Sequence, residues 1–192
     1  MTDAIELLRR DHDEARRLLS ELEASPEGTA GPRRRGRGRG RQATVARVIS
    51  CESTHEAIEE QYFWPVVRRR VRDGERLADE AIRQECRLKH VLGLLDGLDA
   101  ADPDFELLLR QLIATCRAHH DFEESRVWPG ARLALSEQEL ADLGAQLEQG
   151  RRFAPTRPHP NLPPDPEVQR LAGRIAGATD RIRDALAGRS ES

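Results

Sequence analysis

Two segments, His55-Glu56-Ala57-Ile58-Glu59-Glu60 and His119-His120-Asp121-Phe122-Glu123-Glu124, carry the residues best suited to chemistry, because each sets an imidazole four residues before a carboxylate. In a helix that spacing puts both groups on one face, a turn apart, where they can reach a single point. Both segments run on to Trp-Pro at the same offset, Trp64-Pro65 and Trp128-Pro129. Histidine and tryptophan are scarce in this chain, so identities in register mark an internal duplication. Imidazole with carboxylate and no thiolate is a donor set for iron, manganese or zinc.

The elements that must position these groups are helical. Aromatics make up 4% of the chain and β-branched residues are thin, which favours an all-α bundle over a sheet. A first helix is predicted over 3–23, with Asp3 as N-cap and Glu6 closing a capping box. Its stripe of Ile5, Leu8, His12, Ala15, Leu19 and Leu22 carries His12 inward. A second helix starts near Gln42 and presents Val48, Cys51, His55, Glu59, Tyr62 and Val66; Pro65 kinks it or forces a local adjustment, and Asp73-Gly74 ends it. A third helix over 75–98 shows Ile82, Cys86, His90 and Leu94 at steps of four, bringing His90 inward. A fourth, over 103–135, has Phe105, Leu109, Leu112, Cys116, His119, Glu123 and Val127 on its stripe, which selects His119 over His120.

Residues 1–135 thus read as a four-helix bundle, with an Arg/Gly-rich loop at 25–41. Ser136 and Glu139 open a short helix over 136–150, a proline-rich linker covers 151–165 with His159 solvent-exposed, and a last helix spans 166–188. That last helix packs on the bundle or serves as a homodimer contact.

Composition narrows the function. The net charge is -3, and residues 32–41 hold six arginines and no acid, so subtracting six leaves the rest at -9, an acidic body unsuited to general nucleic-acid binding. No apolar run reaches the roughly 20 residues of a membrane span, and the first twenty residues are charged and amphipathic, so the expected compartment is the cytoplasm. Cys51, Cys86 and Cys116 are odd in number and lack Cys-x-x-Cys spacing, which argues against a disulfide framework.

Four inward histidines in one core are too polar to stay unpaired, and Glu59 and Glu123 sharing the next layer would repel unless cations lie between them. Six ligands, His12, His55, Glu59, His90, His119 and Glu123, suit two metal ions with bridging carboxylates and positions left open for a small ligand.

At these residues the sequence resembles the hemerythrin-like family of HHE cation-binding domains: His12 in LLRRDHDEARRLL, His55 and Glu59 in HEAIEEQYFWP, His90 in ECRLKHVLGLL, and His119 and Glu123 in HHDFEESRVWP. The resemblance covers about residues 3–135. It implies an antiparallel up-down-up-down bundle with a C-terminal helical extension, holding two non-haem iron ions bridged by carboxylates, ahead of manganese or zinc. Oxygen-carrying members place a further histidine where this chain has Leu94 and an aspartate near the place of Glu123, so the resemblance points to the bacterial branch associated with iron, oxygen, nitric oxide or peroxide. An enzyme of this kind would be a di-iron oxidoreductase. Two other functions stay open: an interaction module acting through the Arg-Gly loop or last helix, and a di-zinc or di-manganese hydrolytic site.

Overall fold

The computed structural model describes residues 2–24, 34–159, 176–180 and 183, and all regular structure among them is helical. Helix α1 spans Ala4–Ala24, α2 Arg34–Ile58, α3 Trp64–Arg70, α4 Gly74–Leu95, α5 Phe105–Phe122, α6 Trp128–Ala134 and α7 Glu137–Arg151. The Asp3 carboxylate caps α1 by accepting from Glu6 N at 2.8 Å, and Ser136 with Glu139 forms a complete capping box on α7.

Neither α2–α3 nor α5–α6 is interrupted: one π-helical turn joins each pair, at Glu59–Phe63 and Glu123–Val127. Each turn begins at the repeated glutamate and ends at Trp-Pro. Proline has no N–H, and its ring collides with the carbonyl four residues back in an α-helix. A π turn widens the coil and answers both problems, with Trp64 N donating to Glu59 O and Trp128 N to Glu123 O. The extra residue shifts the inward stripe by one, so Phe63 and Val67 are buried where an uninterrupted helix would bury Tyr62 and Val66.

The α3–α4 corner requires glycine. Asp73 sits at φ 57°, and a Cβ on Gly74 would stand 2.1 Å from Val67 O. The second helix begins at Arg34, eight residues before the expected Gln42. Elongating an already nucleated helix is cheap, and arginine's good propensity confines the cost to the interspersed glycines, about 1 kcal/mol each. Of the expected loop at 25–41, residues 25–33 lie outside the described residues.

Helix α1 packs on α2 and α7, and α4 packs on α3 and α5. One apolar cluster gathers Ile5, Leu8, Phe63, Trp64, Val127 and Trp128; a second gathers Leu19, Val48, Leu88, Leu92, Leu109 and Leu112. His12, His55, Glu85 and His119 fall between these clusters along their own helices, so the polar residues form a layer between two apolar ones. Residues 176–180 are helical, and Gly177 lies against Phe153 O and Ala154 O, where a Cβ would come within 2.4 Å and 2.9 Å. The remainder of the expected 166–188 helix lies outside the described residues, apart from Arg183. No helix among the described residues is long and apolar enough to cross a membrane.

Candidate metal centre

Five of the six expected ligands come together. His12, His55, Glu59, His119 and Glu123 are buried, four of them wholly and His55 to within 1%. His90 does not join them: it is exposed, as is Cys86, on the same outward face of α4. The reason is rotational. Steps of four drift by about 40° each around a helix, so the Ile82–Cys86–His90–Leu94 row turns away from the core. The buried face of α4 is Leu77, Ala81, Glu85, Leu88, Leu92 and Leu95. Glu85 is the chemistry-bearing residue it delivers, detectable in the sequence as an acid within an apolar stripe.

Glu123 lies at the middle. Its Oε2 is 3.0 Å from His12 Nε2 and 3.7 Å from His55 Nε2, and its Oε1 is 3.2 Å from His119 Nε2. None of these approaches is aligned as a hydrogen bond, and both oxygens of Glu123, both of Glu59 and both ring nitrogens of His119 have no hydrogen-bonding partner. Groups that crowd together without bonding to one another are aimed at a shared point. Among the described residues three groups offer donor atoms mutually within 4.8 Å: His12, His55 and Glu123; Glu59, Glu85, His119 and Glu123; and, beside them, Glu52, Cys116 and His120, and Glu123 belongs to the first two.

Outer groups set the imidazoles. His12 Nδ1 donates to Glu124 Oε1 at 2.8 Å and His55 Nδ1 donates to Asp11 Oδ2 at 3.2 Å. Carboxylates accept only, so these contacts place the proton on Nδ1 and turn Nε2 to the centre. Arg16 pairs with Glu124, and Arg151 holds Asp11 Oδ2 at 2.6 Å. Trp64 Nε1 donates to Glu85 Oε1 at 2.5 Å. The His12 Nε2 to His55 Nε2 distance is 3.2 Å, too close for two inward lone pairs unless a cation or a proton lies between.

The electrostatics say the same. Burial, then the charges of His120, His55 and His119, push His12 well below the ordinary imidazole range. Burial, then His120 and His55, does the same to His119. Burial opposes protonation of His55 too, yet Glu59, Asp11 and Glu123 hold it well above that range. Burial, then Glu59, holds the Glu123 carboxyl well above the usual carboxylate range. Without a metal, the carboxylates around His55 favour its protonated form, and burial beside Glu59 favours the protonated form of Glu123.

The sequence does not show the burial of His120, the carboxylates around Lys89 or the partner of His159. His120 is buried beside His119, stacked on His12 with centroids 3.7 Å apart, and 3.3 Å from Glu52. Burial would raise Glu52, but His120's charge and hydrogen bond hold it at about 2. The chain's single lysine, Lys89, lies among Glu56, Glu60 and Glu85. Of the cysteines, only Cys116 is buried, with Sγ 3.6 Å from His120 Nε2. His159, expected free in solvent, pairs with Asp180 at 2.9 Å.

Comparison with known proteins gives the family and the fold. An uncharacterized hemerythrin-like protein of Schizosaccharomyces pombe is 27% identical over 114 residues, 59% of this chain; the chain spans 56% of that relative's length. The crystal structure of a hemerythrin HHE cation-binding domain-containing protein from Mycobacterium kansasii superposes with a TM-score of 0.64, covering 94% of this chain and 99% of that one at 20% identity, which establishes a shared fold. The family model of the hemerythrin HHE cation-binding domain matches residues 3–153, and the chain belongs to that family.

Proposed function

We propose that the chain is a non-haem di-iron protein, built as an antiparallel up-down-up-down four-helix bundle, whose centre binds or processes oxygen, nitric oxide or peroxide. The observation that carries this reading is Glu123, whose two oxygens face two different donor groups while neither is hydrogen-bonded. That is the arrangement of a bridging carboxylate.

The residues present fit such a pair of cations. Among the described residues six glutamates, 52, 56, 59, 60, 85 and 123, are buried with one ammonium, Lys89, close to them. Two divalent ions would bring that interior within one charge of neutrality. His12, His55 and Glu123 would hold one ion; Glu59, Glu85, His119 and Glu123 would hold the other. Nitrogen and oxygen donors without thiolate suit iron, which when bound supplies redox equivalents and open positions for a small ligand. The chain's part is positional: Asp11 and Glu124 fix the imidazole rings, Trp64 fixes Glu85, and the two apolar clusters keep water out.

Elemental analysis of untagged protein tests the reading. About two irons per chain are expected, lost in a His55→Ala/His119→Ala double variant. A wild-type chain that holds no transition metal after anaerobic ferrous reconstitution overturns it.

A further inference from the structure

Any cation bound at the buried centre must pass residues that water does not reach, and an acidic box lies on one side of that centre. On the α4 side of the layer, Lys89 Nζ lies 2.5 Å from Glu60 Oε1, 3.7 Å from Glu56 Oε2 and 3.8 Å from Glu85 Oε2. The Lys89 side chain is 13% exposed, whereas Glu56, Glu60 and Glu85 are at 1% or less, so solvent touches the ammonium and not the carboxylates behind it. Both oxygens of Glu56, and Oε2 of Glu85, have no hydrogen-bonding partner, although Oε2 of each lies within 4 Å of Nζ. Glu85 belongs as well to the group containing Glu59, His119 and Glu123. The box therefore opens outward at a cation and inward at the centre.

The residue type matters. Lys89 is the single lysine in a chain with 31 lysines and arginines together. A guanidinium grips carboxylates through a planar fork, whereas an ammonium on a flexible stem is a point charge that can leave as a unit.

We propose that Glu56, Glu60 and Glu85 form a further divalent-cation site, filled at rest by the Lys89 ammonium, through which a cation enters the centre by displacing that ammonium. The proposal rests on the reading of the centre given above.

Cobalt(II), followed by its visible absorption and counted by elemental analysis after gel filtration, is the probe. Lys89→Met is expected to bind about one equivalent more than wild type, the metal replacing the missing ammonium. Glu60→Gln is expected to reach the wild-type number about tenfold more slowly, since it removes the charge that draws the ion in. A Lys89→Met chain with wild-type helicity by circular dichroism and no added equivalent overturns the proposal. Should Lys89→Met not fold, Glu60→Gln decides alone, and loading at the wild-type rate overturns it. A wild-type chain that takes up no metal overturns the centre itself, before either variant is compared.

Discussion

In the first copy of the repeated segment, Glu60 is buried and salt-bridged to Lys89; at the matching place in the second, Glu124 is half-buried and joins His12 Nδ1 to Arg16. The position after the histidine is Glu56 in one and His120 in the other. Trp64 donates to Glu85, whereas Trp128 stacks on His12 at 4.7 Å and its Nε1 is buried without a partner. Backbone and register are alike in the two copies, down to the π turn starting at the glutamate. What differs is the neighbour: α4 brings acid and an ammonium to the first copy, and α1 brings an imidazole and a guanidinium to the second. The duplication builds two equivalent ledges, and the helices packed on them make one the anionic half and the other the histidine-rich half.

The largest difference should fall on the two repeated glutamates. Glu123 comes within 3.7 Å of three histidines, while Glu59 comes that close to His55, at 3.2 Å, with His119 within 4.8 Å. Glu123→Gln is expected to abolish stoichiometric metal binding, because both donor groups use it, and Glu59→Gln to retain about one equivalent. Equal losses in titrations followed by elemental analysis would show that the copies share the load and break the comparison.

A second test uses pH. In the metal-free chain Glu56, Glu85 and Glu123 are held well above the ordinary carboxyl value of 4.5, by burial first. His55 stands above 6.5, with Glu59 and Asp11 overcoming burial. A folded pKa above the unfolded one contributes stability that is present below the unfolded pKa and lost as pH rises through the folded value. The depressed His12 and His119 act in the opposite sense, but only below 6.5, where the unfolded imidazoles take up protons. From about pH 6.5 upward all four raised groups therefore pull one way. The Tm of metal-free protein should fall between about pH 6.5 and 8.5, and metal should flatten that fall by replacing the protons. Glu56→Gln, on the anionic half, should flatten it partly without metal. A metal-free Tm that stays flat or rises over this range would mean that the folded chain holds no extra protons on these groups.

How much of this was legible follows from helix geometry. The stripes of α1 and α5 alternate threes and fours as far as the π turn, and their expected members are buried throughout, His12 and His119 included. Equal steps of four along α4 precess around the helix, so the row through His90 turns outward and Glu85 lies on the buried face. Beyond Glu59 the register moved by one residue, a shift that Pro65 signals but that periodicity alone does not resolve. His120 was set aside because a narrow seam admits one of two adjacent residues. The actual layer is wide enough for both, since His12 and Glu52 come to meet His120 from α1 and α2. Lys89 was visible as the single lysine, with Glu85 one turn before it, but its other two carboxylate partners, Glu56 and Glu60, come from a segment distant in sequence, a pairing that only packing reveals.

The groups that orient the imidazoles give a smaller effect. Asp11→Asn and Glu124→Gln should each weaken metal binding about tenfold, since each removes the charge that steadies a ligand ring without removing a ligand. Competition against a chelator of known affinity reads this out. Glu124→Gln should be the milder of the two, because its carboxylate is 32% exposed and that of Asp11 is 12% exposed and anchored by Arg151. The reverse order would make Arg16, and not Arg151, the stronger outer anchor.

The two tryptophans supply the finest comparison, because the same substitution removes a hydrogen bond in one copy and none in the other. Trp64→Phe takes the donor from Glu85 Oε1, and the other oxygen of Glu85 already lacks a partner. A buried carboxylate left without its donor costs about 1–3 kcal/mol. Trp128→Phe keeps an aromatic face against His12 and beneath Arg9, whose Cζ lies 5.7 Å from the ring centroid, and it removes an N–H that had no partner. Both variants lose the same volume from the same apolar cluster, so the packing terms largely cancel in the difference. In urea unfolding of the metal-free chain, Trp64→Phe should be less stable than Trp128→Phe by about 1–2 kcal/mol. Bound metal should narrow that gap, because an ion on Glu85 supplies the positive partner that the indole N–H provided. A gap that stays constant on metal loading would remove Glu85 from the centre and leave it a structural acceptor for Trp64.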